Sequence, residues 1–568
     1  MGNTSCDANY DLLVLGSGAS GLTAALTASL AGLRCLVLEH AATIGGTSAR
    51  SSGTMWVPGN HHLAANGIVD DREAAETYLS ALVMNRGDEA MWRTFLDAAP
   101  LMLRDLEKRV GFSFRPFMAA PDYRQDLAGA AAGGRALEPP AFDGRELGED
   151  FDRLEPPLRE LMLFGGMMVT RPEAAQLLRA DRSPAAAVLA VRLLARYLGD
   201  RLAGRRRGTR LVLGNALVAR LLKACRDAGV TILISAHARR LFMDERGLPR
   251  VEVEHDGAIR MVGASRGIVL AGGGYPASAR WRAEQMPEPL AQHTPAAPGC
   301  DGSTIELALA AGATLGPAGL DNALWFPSSI MKRADGSTAV WPHIVLDRAK
   351  PGLIAVGHCG RRFVNEAVSY HDFVRAMYAA GAVPAWLICD RAFIRTYGLG
   401  LIRPRTPGLG RYVRNGYLKR AATIEALAVE IGSSPDALRA TVERWNALAE
   451  CGTDKDFHKG ETIYDRASGD PRAGTNPCLG PIAEAPFFAL EAVPTPLGTS
   501  RGLRADIHAR VLDAEGKPFQ GLYVCGNDMQ SAFGGEYPGG GAQLGQGMTF
   551  AWIAAKHAAG IGALDSPG

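Results

Sequence analysis

One stretch, Tyr10 to Glu39, constrains this chain more than any other. It reads YDLLVLGSGASGLTAALTASLAGLRCLVLE. Leu12 to Leu15 is an apolar run of the length and composition of a buried parallel strand. Gly16, Gly18 and Gly21 follow at GxGxxG spacing, then an Ala/Leu-rich helical segment, then the apolar run Leu36 to Leu38, which ends in Glu39. Gly16 permits a tight strand-to-helix turn, Gly18 lets a pyrophosphate approach the backbone, and Gly21 allows close packing of helix on strand. The helix N-terminus then faces phosphates with unpaired N–H groups and the positive end of its dipole. Glu39 lies 18 residues after Gly21, where an acid accepts hydrogen bonds from ribose hydroxyls. A lone GxGxxG also fits a Gly-rich turn in an ordinary α/β domain. The ordered set of strand, glycines, helix, strand and acid predicts a dinucleotide site. Glu39 repels a 2′-phosphate, which disfavours NADP and leaves FAD or NAD.

A chain of 568 residues exceeds a single core and predicts at least two domains. Its 61 Lys and Arg against 59 Asp and Glu give a net charge of +2, which implies no nucleic-acid partner. Nine cysteines stand singly with no CxxC, a pattern that speaks against a zinc site, an iron–sulfur cluster or a disulfide framework and for a reducing compartment. Residues 1 to 9 lack a basic-then-apolar leader pattern, and no uninterrupted apolar run reaches membrane-spanning length. The expected location is the cytoplasm.

Ile44 to Asn60 reads IGGTSARSSGTMWVPGN, a loop of small residues that can lie against a large flat ligand, with Met55 and Trp56 turning the segment inward. Asp71 to Val110 reads as helices, and Gly111 to Pro140 as loop. Ser183 to Leu202 is an apolar helical segment followed by Arg205, Arg206, Arg207 and Arg210. That is either a domain helix with a solvated basic end or a patch for an anionic lipid surface. Gly214 to Gly229 reads as helix, Val230 to Ser235 as strand, and Ile268 to Ala271 as a strand running into Gly272, Gly273 and Gly274. Asp301 is placed to cap a helix over Ile305 to Ala311. The middle, about residues 281 to 495, lacks GxGxxG and reads as an inserted second domain between residues 1–280 and a return segment, 496–568. In the return, GLYVCGN (521–527) is a short strand, and FGGEYPGGGAQLGQGMTF (533–550) is a Gly-rich loop opening a final helix.

GGTSARSSG before MWVP, PDY (121–123) before GGR (133–135), GRRFVNEAVSY (360–370), VPAW (383–386), DKDF (454–457), GDPR (469–472), NPCLGPI (476–482), YPGGG (537–541) and MTFAW (548–552) all stand in this sequence. On these strings the chain resembles the 3-ketosteroid Δ1-dehydrogenase branch of the fumarate reductase/succinate dehydrogenase flavoprotein superfamily. The resemblance implies an α/β fold, a Rossmann-like FAD-binding domain with an inserted α+β catalytic domain. It implies FAD contacts from Gly16, Gly18, Ser20, Gly21, Glu39, His40, Gly45, Gly46, Thr47, Ser48, Ser52, Gly53, Ala238, Ala271, Gly272, Gly273, Gly526, Asn527, Gln543 and Leu544. TSARS holds no histidine where relatives with covalent flavin carry one, so the FAD is expected to be non-covalent.

The same resemblance implies the chemistry. Four residues after Glu366, where fumarate reductases place a proton-donating arginine, stands Tyr370, the position of the base in the ketosteroid enzymes. A dicarboxylate needs cationic clamps, whereas a neutral ketone needs a weak base and an oxyanion site. Tyr537 and the Gly541 N–H are the implied donors to the ketone oxygen, each contributing on the order of 3 kcal/mol as an enolate develops. Tyr370 takes the α-proton, with its pKa lowered by a neighbouring hydroxyl such as that of Tyr123. The β-hydrogen leaves as hydride to the flavin N5. The implied substrate is a hydrophobic 3-ketosteroid. A smaller cyclic ketone of the cyclohexanone type is an alternative, motivated by Glu536 before the key tyrosine and by Arg124 where a second tyrosine is usual. So is reduction of an activated double bond by the same steps reversed. The electron acceptor is left open, and so is peripheral membrane contact.

Overall fold

The structure, a computed structural model, describes residues 10–111, 113–177, 183–344 and 346–562. Residues 1–9, read above as lacking a leader pattern, lie outside it.

The apolar runs around GxGxxG form the centre of the first sheet. Tyr10–Leu15 pairs in parallel with Cys35–Leu38 on one side, Leu13 opposite Leu36, and with Ala258–Leu270 on the other, Leu13 opposite Ile268. Thr231–Leu233 extends the sheet beyond Cys35–Leu38, and Pro518–Val524 extends it beyond Ala258–Leu270. Arg510–Leu512 adds an antiparallel edge. Leu12, Leu13 and Val14 have no exposed surface, as a strand covered on both faces requires. The strand expected at residues 268–271 is the end of a 13-residue one, Ala258–Leu270. Its first half leaves the sheet to form antiparallel pairs with Pro249–His255, which in turn pairs with His237–Met243. The helices Ala19–Leu30 and Ala542–Ala558 pack on this sheet and on each other, and Leu213–Asp227 packs on Ala19–Leu30. Sheet one therefore draws strands from both ends of the chain.

The middle of the chain builds a second, antiparallel sheet. Its order is Thr338–Pro342, Ala323–Lys332, Phe487–Thr499, Ala385–Cys389, Leu353–Val356, with Leu418–Ala421 also pairing to Phe487–Thr499. The 13-residue strand Phe487–Thr499 is its spine and leads the chain back to sheet one.

Two details differ from the sequence reading. The helix near Asp301 starts at Ser303, and its N-cap is Gly302 at φ +88°, with Asp301 Oδ1 accepting from Ser303 N at 3.0 Å. Asp301 thus stands one residue before the N-cap position, and its carboxylate still accepts one of the helix's first N–H groups. The basic end of helix Pro184–Leu202 is only partly solvated. Arg207 donates to Asn215 Oδ1 at 2.6 Å and lies over the Phe151 ring, and Arg210 pairs with Glu173. Burial lowers the Arg207 pKa to about 10. Among the described residues no helix is long and apolar enough to cross a membrane.

Candidate functional site

The first half of the site is a glycine-built cradle at the carboxyl ends of the sheet-one strands. Gly16 sits at φ +110° with its N–H donating to Leu38 O, and a Cβ there would run into the Ala271 carbonyl. A Cβ on Gly21 would run into Gly16 O, so the helix Ala19–Leu30 approaches the turn more closely than any side chain allows. Gly18 differs. It is the N-cap and supplies no side-chain cap, and a Cβ there would meet only Ser48 Oγ, at 3.5 Å. Space is therefore open beside the helix N-terminus, where Ser48 Oγ accepts from Ala19 N at 3.1 Å. Gly45 (φ +113°) and Gly46 (φ +47°) open the short helix Gly46–Arg50, with nothing within 4 Å of a Cβ on Gly46.

Glu39 is buried. Its Oε2 accepts from Ser17 N (2.9 Å) and Ser17 Oγ (2.6 Å), and its Oε1 from Ala41 N (2.8 Å). The carboxylate thus orders the glycine turn while two oxygens retain accepting capacity. His40 lies beside His237, ring centroids 6.0 Å apart. Thr47 Oγ1 accepts from Ala297 N at 2.9 Å and meets Cys300 Sγ at 3.2 Å. Gly53 turns at φ +67° against Leu213 and Gly214, one residue after the half-buried Ser52. Ala271 N donates to Leu15 O at 2.8 Å, and Gly272 and Gly273 follow. Ser20 Oγ would lie 3.1 Å from a Cβ on Gly526. Asn527 Nδ2 donates to Gln543 Oε1 at 3.0 Å, with Leu544 next in the final helix. Ala238 lies off this cradle's glycine turns, on the antiparallel strand His237–Met243.

The second half is a cluster of tyrosines from four separate segments. Tyr370 is the first residue of helix Tyr370–Ala379, whose N-cap Ser369 accepts from Asp372 N and donates to Asp372 Oδ2, a capping arrangement that fixes the helix start. Its hydroxyl is 2.6 Å from that of Tyr123. Tyr123 is half-buried. Its N–H donates to Pro538 O at 3.0 Å, and Tyr78 OH donates to the same carbonyl at 2.7 Å, so the PDY loop is docked on the YPGGG segment. Ring centroids are 5.4 Å apart for Tyr123 and Tyr370, 5.4 Å for Tyr123 and Tyr537, and 5.5 Å for Tyr370 and Tyr537. Gln543 Nε2 donates to Tyr537 OH at 3.3 Å. Gly541, at φ +94°, is the N-cap of the final helix, and a Cβ there would strike the Thr54 carbonyl. Only glycine fits between the two halves at that point. A small cavity of ≈ 10 Å³ lies here, bounded by Tyr537, Gln543, Asn527, Thr499, Gln546 and Glu536.

Burial raises all three tyrosine pKa values. For Tyr370 the neighbouring Tyr123 and Tyr537 raise it further, so the expected net lowering is not found. The chief reason is that desolvation disfavours a phenolate. The hydrogen bond itself runs from Tyr123 OH to Tyr370 OH, the direction that stabilises Tyr370 once it ionises. Two residues that motivated the small-ketone alternative are also accounted for. Glu536 is buried and held by Arg375 (2.9 Å) and Arg86 (3.1 Å), and Arg124 pairs with Asp126 at 2.6 Å. Neither offers a free charge to a ligand.

Several supporting residues had no sequence signal beyond their type. Asp528, fully buried, accepts from Gly272 N (2.6 Å), Gly274 N (2.8 Å) and Thr304 Oγ1 (2.7 Å), tying the Gly-rich turn after Ala258–Leu270 to the return segment. Asp122, quoted only as part of PDY, accepts from Trp56 Nε1 at 2.7 Å and pairs with buried Arg135 at 2.6 Å, which also pairs with Asp70. Buried Arg348 donates to Glu366 O (2.7 Å) and Val368 O (3.1 Å), fixing the segment that delivers Tyr370. Glu366 itself is buried against Arg362 and Lys459.

Comparisons with known proteins place this geometry. A family profile described as "FAD binding domain" matches residues 11–544. The 3-oxosteroid 1-dehydrogenase of Mycolicibacterium smegmatis is 32% identical over 98% of this chain and 99% of its own length. The 4-oxocyclohex-2-ene-1-carboxylate 5-dehydrogenase of Sinomonas cyclohexanicum is 35% identical, covering 97% of this chain and 93% of its own. The crystal structure of 3-ketosteroid delta1-dehydrogenase from Sterolibacterium denitrificans in complex with 1,4-androstadiene-3,17-dione superposes with a TM-score of 0.90 at 34% identity, covering 97% of this chain and 99% of that one.

Proposed function

The chain belongs to the FAD-binding domain family and its cofactor is FAD, and from that premise we propose that it desaturates a 3-ketosteroid between the carbons α and β to the ketone. The observation that carries the reading is the convergence of Tyr123, Tyr370 and Tyr537 beside the Gly541 helix start. The cradle suits the cofactor. Gly18 and Gly46 leave open space where the pyrophosphate needs it, Glu39 retains accepting capacity for ribose hydroxyls, and the final helix directs N–H groups toward the cradle. When bound, FAD supplies the hydride acceptor.

The protein's own groups do the rest. Tyr537 OH and Gly541 N–H hold the ketone oxygen, acidifying the α-hydrogen and stabilising the enolate as it develops. Ionised Tyr370 receives that proton and becomes a neutral phenol, and before the transfer the Tyr123 OH, donating to Tyr370 O, stabilises the phenolate. The buried cluster excludes water, which strengthens each of these hydrogen bonds. Arg362 and Arg375, which could clamp a dicarboxylate, are both held by buried carboxylates. Purified protein should reduce a dye acceptor with androst-4-ene-3,17-dione. FAD-loaded protein inert toward several 3-ketosteroids would remove the steroid assignment. A single-ring ketone is a second reading, favoured by the 35% identity to the Sinomonas enzyme. Activity with 4-oxocyclohexanecarboxylate and none with steroids would establish it instead.

Peripheral lipid contact belongs to the same proposal. Val188, Val191, Leu198 and Leu202 are exposed on helix Pro184–Leu202, together with Arg192 and Arg201. An apolar stripe edged by arginines fits an anionic bilayer surface, where a hydrophobic ketone dissolves. Co-sedimentation with anionic but not neutral vesicles tests it.

A further inference from the structure

Away from the tyrosines, three donor groups converge on one point. His61 and His62 open the helix His61–Ala65, and Glu107 stands in the last turn of Glu89–Val110. His61 Nε2 lies 2.9 Å from Glu107 Oε2, and His62 Nε2 lies 2.8 Å from Oε1. The two imidazole centroids are 4.1 Å apart, and one donor atom from each of the three residues lies within 4.8 Å of the others. Consecutive residues on a helix point about 100° apart, so two neighbouring imidazoles meet a common partner only when it sits in the gap between them. Here both rings turn the same nitrogen toward one carboxylate. That carboxylate is itself held, since Phe114 N donates to Glu107 Oε1 at 2.6 Å.

We infer that His61, His62 and Glu107 form a mononuclear site for a borderline divalent cation, Zn²⁺ or Co²⁺. Two imidazoles and a carboxylate suit these metals, whereas Mg²⁺ and Ca²⁺ favour all-oxygen sets. Metal–donor bonds of about 2.0–2.2 Å require the facing donor atoms to separate by a few tenths of an ångström, and His61, whose side chain is 34% exposed, can give that room. The same exposure leaves coordination positions open to water. The cysteine pattern speaks against a zinc site, and the histidine–carboxylate set departs from that reading, because two histidines and a carboxylate need no cysteine.

The location gives the site a role. Asn60, just before His61, donates to Val57 O (2.8 Å) and Gly134 O (3.1 Å), and Gly59 N donates to Asp70 Oδ2 (2.9 Å). Asp70 pairs with Arg135, and Arg135 with Asp122, the neighbour of Tyr123. A cation here staples helix His61–Ala65 to helix Glu89–Val110 beneath the loop that carries Tyr123, and acts on structure rather than on the reaction.

The test uses tag-free, FAD-loaded protein, stripped with a chelator and titrated with ZnCl₂ by calorimetry and with CoCl₂ by visible spectroscopy. Expected are one equivalent of zinc with a micromolar or tighter Kd, a raised Tm, and cobalt d–d bands of a nitrogen-ligated, low-coordination site. His62→Ala and Glu107→Gln should keep the flavin spectrum and weaken zinc at least ~10- to 100-fold. Absence of stoichiometric zinc binding, or binding unchanged in both variants, overturns the inference. If a variant loses FAD, the wild-type cobalt spectrum decides, and the bands of hexa-aqua cobalt would reject the site.

Discussion

Replacing Tyr123 with Phe deletes one hydroxyl at the centre of the site and leaves the ring, and its effect can be worked from the geometry. The lost contact is the 2.6 Å hydrogen bond to Tyr370 OH. With Tyr370 ionised that bond has a charged acceptor, which contributes about 1.5–3 kcal/mol. At 1.36 kcal/mol per unit, the Tyr370 pKa should rise by about 1–2 units in the variant. Burial already holds it above the ordinary tyrosine range, so the wild-type rate of flavin reduction should climb with pH through neutrality. In Tyr123→Phe that climb should move to higher pH by about 1–2 units. At a fixed pH on the limb the rate should fall about 10- to 100-fold and recover on further alkalinisation. Anaerobic stopped-flow reduction of the bound FAD across pH measures this directly. A limb that stays in place, or a loss equal at every pH, would show that Tyr123 only packs and that Tyr370 is not tuned through it.

Tyr370→Phe should retain FAD but lose both flavin reduction and α-hydrogen exchange with deuterated solvent by at least ~10² to 10⁴, whereas Tyr537→Phe should weaken ketone binding and reduction while keeping some exchange; rapid exchange in Tyr370→Phe would point to another base. Glu39→Gln should lower FAD affinity roughly 10- to 100-fold, because the charged acceptor that also orders Ser17 and Ala41 is gone; equilibrium dialysis reads it, and unchanged affinity would contradict the ribose role. Denatured protein should release all its flavin, since Thr47 to Ser51 offers no histidine for a covalent bond; flavin retained in the precipitate would refute this. Buried His371 has its pKa lowered to about 4, chiefly by burial and then by Arg375, so the unfolded state takes up its proton first as pH falls. Stability should be full above about pH 6.5 and decline toward pH 4 by roughly 3 kcal/mol from this residue, and His371→Asn should flatten that part of a denaturation-versus-pH series.

Sequence alone was enough for the core of sheet one. A strand buried on both faces must be continuously apolar, and a turn that meets a neighbouring carbonyl must be glycine, so Leu12–Leu15 with Gly16 and Gly21 could take few other forms. The antiparallel extension His237–Met243, Pro249–His255 and Ala258–Leu270 was not legible, because a strand that changes partners halfway carries two patterns in succession. The strings PDY, GRRFVNE and YPGGG identified three tyrosines one by one, but residues 123, 370 and 537 share no local periodicity, and their 5.4–5.5 Å ring spacing rests on long-range contacts such as those of Tyr123 N and Tyr78 OH with Pro538 O and of Arg348 with Val368 O.

Charge is where the two levels part most clearly. The sequence determined which residues are ionisable and that Glu39 follows its strand at the spacing of an acid facing ribose. It could not determine that Glu536 is neutralised by Arg375 and Arg86, that Asp528 holds the Gly272–Gly274 turn, or that two histidines share Glu107. Local propensity and hydrophobic period act over a few residues and are written in the chain, whereas the energy of a buried charge depends on which distant partner the fold brings within about 3 Å. Only the tertiary structure supplies that partner.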